Sequence, residues 1–124
     1  MNETVEIFHM RRSVRFSFDS TEPPQFNLFN YSHIASIDYE IVKKEGAHLM
    51  KCYDFISLRY AELEACFDLT NKSDEFDDGK CWGDKFGVEF ILADHGQRST
   101  NMGDIIVMPD GKRYIVLDIG FLEA

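Results

Sequence analysis

The strongest constraint on the fold is a hairpin pattern in the last quarter of the sequence. Two apolar runs, residues 105–108 and 114–117, are rich in Ile, Val and Tyr, which pack well in strands. They are joined by Pro109-Asp110-Gly111-Lys112. Pro presets the first turn position, Asp hydrogen-bonds nearby backbone, and Gly accepts a positive φ. The stretch therefore predicts a β-hairpin, and it specifies no reaction.

Other apolar patterns predict an α+β fold. Alternation of apolar and polar residues indicates strands, and helical spacing of apolar residues indicates one long helix over residues 47–69, with Cys52 and Cys66 on its buried side. The predicted strands are residues 5–10, 14–18, 36–43, 88–92, 104–108 and 113–118. We expect one α+β domain over residues 1–124: a mainly antiparallel sheet of about five to six strands, one long helix packed on one face, and a C-terminal β-hairpin.

Composition and charge restrict the function classes. A chain of 124 residues with 44% hydrophobic and 28% charged residues is typical of a globular domain. Its net charge of −9 argues against direct nucleic-acid binding and favours basic partners, cations or imitation of nucleic acid. There is no signal-peptide pattern and no long apolar stretch, so we expect a cytoplasmic protein that does not contact membranes. Whether it is a monomer or a homodimer stays open.

Residues 70–87 form an acidic segment that should be a long surface loop. Its carboxylates lack the spacing of an EF-hand loop, and the three cysteines have no C-x-x-C pair, so no metal site is predicted. No catalytic residue and no cofactor is predicted either. Two alternatives remain. One is a small-molecule or cation-binding module around the aromatic part of the loop with Trp82, and the other is a small hydrolase using Asp94, His95 and Ser99.

The end of the chain also resembles a known family. The segments STNMGDIIV (residues 99–107) and YIVLDIGF (residues 114–121) are similar to the two terminal strands of the YodL-like domain family. Residues 71–97 depart from the family pattern, because they insert a long acidic segment before these strands. The resemblance implies a small accessory protein of a bacterial mobile element or phage, and it supplies no catalytic residues.

Charge, size and this resemblance together predict a non-enzymatic accessory protein that binds a host protein. One form of this hypothesis is an acidic, nucleic-acid-mimicking inhibitor of a host nuclease or defence system. The predicted partner-binding residues are Glu62, Glu64, Asp74, Glu75, Asp77, Asp78, Trp82 and Asp84.

Overall fold

The computed structural model describes residues 3–11, 26–27, 29–53, 57–70, 88–90, 100, 102–117 and 120–123. Within these ranges the chain forms six strands and two helices. The strands are β1 (Thr4–Met10), β2 (Tyr31–Asp38), β3 (Val88–Phe90), β4 (Ile105–Val107), β5 (Arg113–Val116) and β6 (Phe121–Glu123). The helices are α1 (Tyr39–Cys52) and α2 (Leu58–Leu69). The predicted strand at residues 14–18 lies outside the described residues.

The described strands form one open antiparallel sheet with the order β3-β2-β1-β4-β5-β6. The predicted α+β class is therefore confirmed. β1 lies in the interior of the sheet, where it pairs with β2 on one side and with β4 on the other. A register shift between Ile7 and Phe8 interrupts the β1–β2 pairing.

The predicted pairing of β4 with β5 is present. Ile105 pairs with Ile115 and Val107 with Arg113. In the turn, the Gly111 N–H donates to the Met108 carbonyl at 2.9 Å, and Gly111 has a φ of 89°. The hairpin does not end the fold, however, because β6 follows and pairs with β5 at the edge of the sheet.

Both faces of the sheet carry apolar side chains. Successive residues of a strand point to opposite faces, so neighbouring apolar residues belong to different layers. On one face, Ile106 and Val116 belong to the main core, to which both helices also contribute. On the other face, Ile105 and Ile115 pack with Met10, Tyr31 and a rim of partly buried aromatic and aliphatic side chains. The core of the protein is thus divided by the sheet into two apolar layers.

Two element predictions were wrong. The predicted strand over residues 36–43 ends at Asp38, whose carboxylate accepts a 3.0 Å hydrogen bond from the Glu40 N–H and caps α1. The predicted long helix over residues 47–69 is two helices, and the second begins after Ser57, whose hydroxyl accepts from the Tyr60 N–H at 3.2 Å. Cys66 is buried as predicted, whereas Cys52 is exposed.

Candidate protein-binding site

The eight predicted partner-binding residues fall into two groups in the structure. Glu62 and Glu64 lie on α2 and are described. The others lie between residues 71 and 87, outside the described residues, and the same holds for the three residues of the hydrolase alternative. The described part of the candidate site is therefore the surface of α2 and the parts of α1 beside it.

Glu62 lies in the interior and does not contribute to an exposed acidic surface. Its side chain is 4% exposed, and both carboxylate oxygens accept hydrogen bonds from the Tyr39 hydroxyl, at 3.1 and 3.0 Å. The Arg59 Nε lies 3.4 Å from the same carboxylate, and Arg59 also pairs with Asp110 in the β4–β5 turn at 3.1 Å. Burial and the hydrogen bond to Glu62 raise the pKa of Tyr39 to about 12. This network joins α1, α2 and the hairpin.

Glu64 and Asp68 lie on a different part of α2, one helical turn apart on the same side. They line a cleft of about 260 Å³ whose other described lining residues are Leu49 and Tyr53, at the end of α1. Burial raises the pKa of Glu64, and the nearby Asp68 charge raises it further. The cleft therefore combines apolar walls with two carboxylates that repel each other.

The charges on α2 are placed against its helix dipole. The C-terminal end of a helix carries a partial negative charge, which favours basic residues in the last turn. α1 follows this rule, with Glu40 in its first turn and Lys51 in its last turn. α2 has no basic residue in its last turn and carries Asp68 there instead. The last turn of α2 therefore has no basic side chain of its own to offset the helix dipole, and the acidic segment follows it in the sequence.

Exposed apolar side chains lie at the end of α1 and at the start of α2. Met50 and Tyr53, at the end of α1, are 40% and 63% exposed, and Leu58, at the start of α2, is 51% exposed. Apolar groups flanked by charge are common in surfaces that bind other proteins. The sequence did not predict that these apolar side chains would be exposed, because residues 39–53 were not predicted to form a helix of their own.

A second polar cluster is buried and serves the fold. Thr70 donates to the Cys66 carbonyl at 2.8 Å, Thr100 donates to Thr70 at 2.6 Å, and His9 Nε2 lies 2.9 Å from the Thr100 hydroxyl. Because each hydroxyl has one proton to donate, His9 Nε2 is the donor to Thr100. Asp104 accepts from the Met10 N–H at 2.8 Å. This chain of bonds ties α2 to β1 and to the start of β4.

The same cluster lacks the geometry of a catalytic triad. In a triad, one ring nitrogen of His contacts the nucleophile and the other contacts the carboxylate. Here His9 Nε2 faces both the Thr100 hydroxyl and, at 3.9 Å, Asp104 Oδ2. All four residues, including Thr70, are at most 3% exposed. The cluster therefore offers a substrate no access to Thr100.

The described residues contain neither a metal-binding cluster nor a membrane-spanning helix. In that part of the chain, no three His, Cys, Asp or Glu side chains are grouped so that they would hold a metal ion. Neither described helix has the length and apolar composition needed to cross a membrane.

Comparison with known proteins found no match: the chain matches no protein-family model, no curated protein and no solved structure. The resemblance of residues 99–107 and 114–121 to the YodL-like domain family therefore stays a prediction.

Proposed function

We propose that this chain is a non-enzymatic accessory protein of a mobile element or phage, and that it binds a basic surface of a host protein. The observation that carries this proposal is the placement of two acidic residues towards the end of α2, whose last turn has no basic residue. There Glu64 and Asp68 share a cleft with Tyr53, and the chain then enters the acidic segment over residues 71–87. The net charge of the chain, −9, has the same sign.

The physical basis of such binding is electrostatic complementarity. Proteins that bind nucleic acid present Lys and Arg to phosphates, and an acidic protein of matching shape competes for the same side chains. In this proposal the carboxylates of Asp74, Asp77 and Asp78 occupy positions that phosphates take in the partner, and the chain carries out no reaction. The exposed apolar side chains of Met50, Tyr53 and Leu58 supply further contact area for a partner.

The experiment is a pull-down from bacterial lysate with tagged protein, analysed by mass spectrometry at low and at moderate salt. The test variant carries Asp74→Asn, Asp77→Asn and Asp78→Asn. The control carries Glu3→Gln, Glu45→Gln and Glu123→Gln, which remove the same number of negative charges from exposed positions elsewhere. Both variants are first checked for folding by circular dichroism.

We expect the wild type and the control to retain a nucleic-acid-binding protein at low salt and to release it at moderate salt, because salt screens such contacts. The test variant should retain it several-fold less, and added DNA should displace it from the wild type. Equal loss in both variants, or a captured protein that DNA does not displace, would contradict the proposal.

A further inference from the structure

Two side chains of metal-ligating type lie one helical turn apart at the end of α1. His48 and Cys52 are four positions apart, so they lie on the same side of the helix, and both residues are exposed. The Cys52 Sγ lies 3.7 Å from the His48 Nε2. A thiol and an imidazole are therefore held side by side at the surface of the protein.

The separation of these two atoms fits a zinc ion. In four-coordinate tetrahedral sites, zinc lies about 2.3 Å from a thiolate sulphur and about 2.0 Å from an imidazole nitrogen. A tetrahedral angle between two such bonds places the sulphur and the nitrogen about 3.5 Å apart. The observed separation of 3.7 Å is close to this value. Thiolate and imidazole ligands also favour zinc over magnesium and calcium, which prefer oxygen ligands.

One chain supplies two of the four ligands that such a site needs. Within the described part of the chain, no third His, Cys, Asp or Glu side chain joins the pair to form a metal-binding group. A second copy of the chain, related by a twofold axis, would bring the same two side chains to the same ion. The ligands would then be two cysteines and two histidines, a common set for structural zinc.

We propose that His48 and Cys52 form half of a zinc site, which a second copy of the chain completes. Zinc is bound by thiolates, so each ion that binds displaces one thiol proton from each of the two cysteines. The proposal goes beyond the binding of a host protein, because it concerns association of the chain with itself.

The test measures the mass of the protein in solution by analytical ultracentrifugation as zinc chloride is added. The protein carries no histidine tag and is kept reduced with a phosphine, so that neither a tag nor a disulfide links two chains. Isothermal titration calorimetry gives the number of zinc ions bound per chain. Cobalt chloride is the spectroscopic probe, because a thiolate bound to Co²⁺ gives a charge-transfer band in the near ultraviolet.

The test variants are Cys52→Ser and His48→Gln, both at exposed positions of α1. The matched control carries Cys81→Ser and His95→Gln, which remove one thiol and one imidazole elsewhere in the sequence. Circular dichroism first checks that all variants fold.

We expect zinc to double the mass of the wild type and of the control, with one ion bound for two chains, and we expect EDTA to reverse the change. Cys52→Ser should abolish both the zinc-dependent dimer and the cobalt band. His48→Gln should weaken zinc binding by roughly tenfold or more, since even a residue that only orients a metal ligand contributes that much.

A mass that does not change with zinc would overturn the proposal, and so would binding of one ion per chain without association. A zinc-dependent dimer that survives Cys52→Ser, or that is lost in the control, would also overturn it. The pull-down that tests the proposed function can be run in EDTA. Recovery of a host protein there therefore succeeds or fails independently of the zinc site.

Discussion

At the scale of single residues, Glu64 carries a charge that opposes folding. Burial and the neighbouring Asp68 raise its pKa in the folded protein. A carboxyl group with a raised folded pKa contributes its stability below the ordinary pKa of glutamate, and that contribution is lost as pH rises through the folded value. Near neutral pH the ionised Glu64 therefore lowers the free energy of unfolding. Such a cost is commonly retained where a side chain serves binding.

Replacing this charge should stabilise the free protein. Glu64→Gln is expected to raise Tm by roughly 1 to 2 °C at about pH 7, corresponding to removal of one like-charged pair one turn apart. The gain should shrink as pH falls through the raised pKa of the folded wild type and should vanish below the ordinary pKa of glutamate, where the carboxyl group is protonated in both states. Differential scanning calorimetry at several pH values measures both effects.

The control for this prediction is Glu45→Gln on α1, whose side chain is exposed. It should change Tm little and should not reproduce the dependence on pH. A Glu64→Gln variant that is less stable than wild type at neutral pH would show that the glutamate has a stabilising partner in the fold.

The contrast between Glu62 and Glu64 shows what the sequence alone was unable to resolve. The two residues are two positions apart on one helix and were predicted to share a role. Their surroundings differ because Glu62 meets Tyr39, which lies 23 positions earlier. Tyr39 was predicted to be in a strand, so nothing in the helical pattern indicated that it would satisfy a buried carboxylate.

At the scale of secondary structure, the sequence predicted the β4–β5 hairpin correctly, because residues in the turn itself determine it. It did not predict α1, because the same residues fit both a strand pattern and a helix pattern. The β4–β5 pair followed from Pro109 and Gly111, which favour a tight turn between two apolar runs. The stretch around Asp38 was misassigned, because Ile37, Tyr39 and Ile41 alternate like a strand while Tyr39, Val42 and Leu49 also recur at helical spacing. The capping bond from Asp38 to the Glu40 N–H marks where the helix begins.

β6 packs on α2, where the Phe121 and Tyr60 rings meet edge to face with their centroids 5.4 Å apart. This contact provides a prediction at the scale of secondary structure. Gly120 precedes β6 with a φ of 89°, and a Cβ atom there would lie 2.5 Å from the Tyr60 hydroxyl oxygen of α2. Gly120→Ala should therefore lose about 2 to 4 kcal/mol of unfolding free energy, from backbone strain and from the clash together. Urea denaturation measures the loss.

Gly111→Ala separates these two contributions. Gly111 has the same φ of 89°, and nothing lies within 4 Å of its added Cβ. That variant should lose only the strain, about 1 kcal/mol. In the Gly120→Ala background, Tyr60→Phe should recover part of the loss, and the coupling is obtained from a double-mutant cycle. Equal losses for the two glycines, with no recovery, would show that β6 does not pack on Tyr60 as described.

At the scale of the whole molecule, a net charge of −9 on 124 residues makes folding work against self-repulsion. The Debye length falls from about 30 Å at 0.01 M salt to about 8 Å at 0.15 M, which is shorter than the span of a small domain. Added sodium chloride should therefore raise Tm by a few degrees over this range.

The size of this increase should depend on the number of charges and on their neutralisation by a partner. The variant with Glu3→Gln, Glu45→Gln and Glu123→Gln removes three negative charges from exposed positions and should show a smaller increase.

A basic partner that covers the end of α2 should raise Tm at low salt and reduce the further effect of salt, because it neutralises the same charges. Thermal unfolding at matched salt concentrations, with and without the recovered partner, measures this. A Tm that stays constant or falls with salt would contradict this prediction, because it would mean that repulsion among the carboxylates is already compensated within the fold.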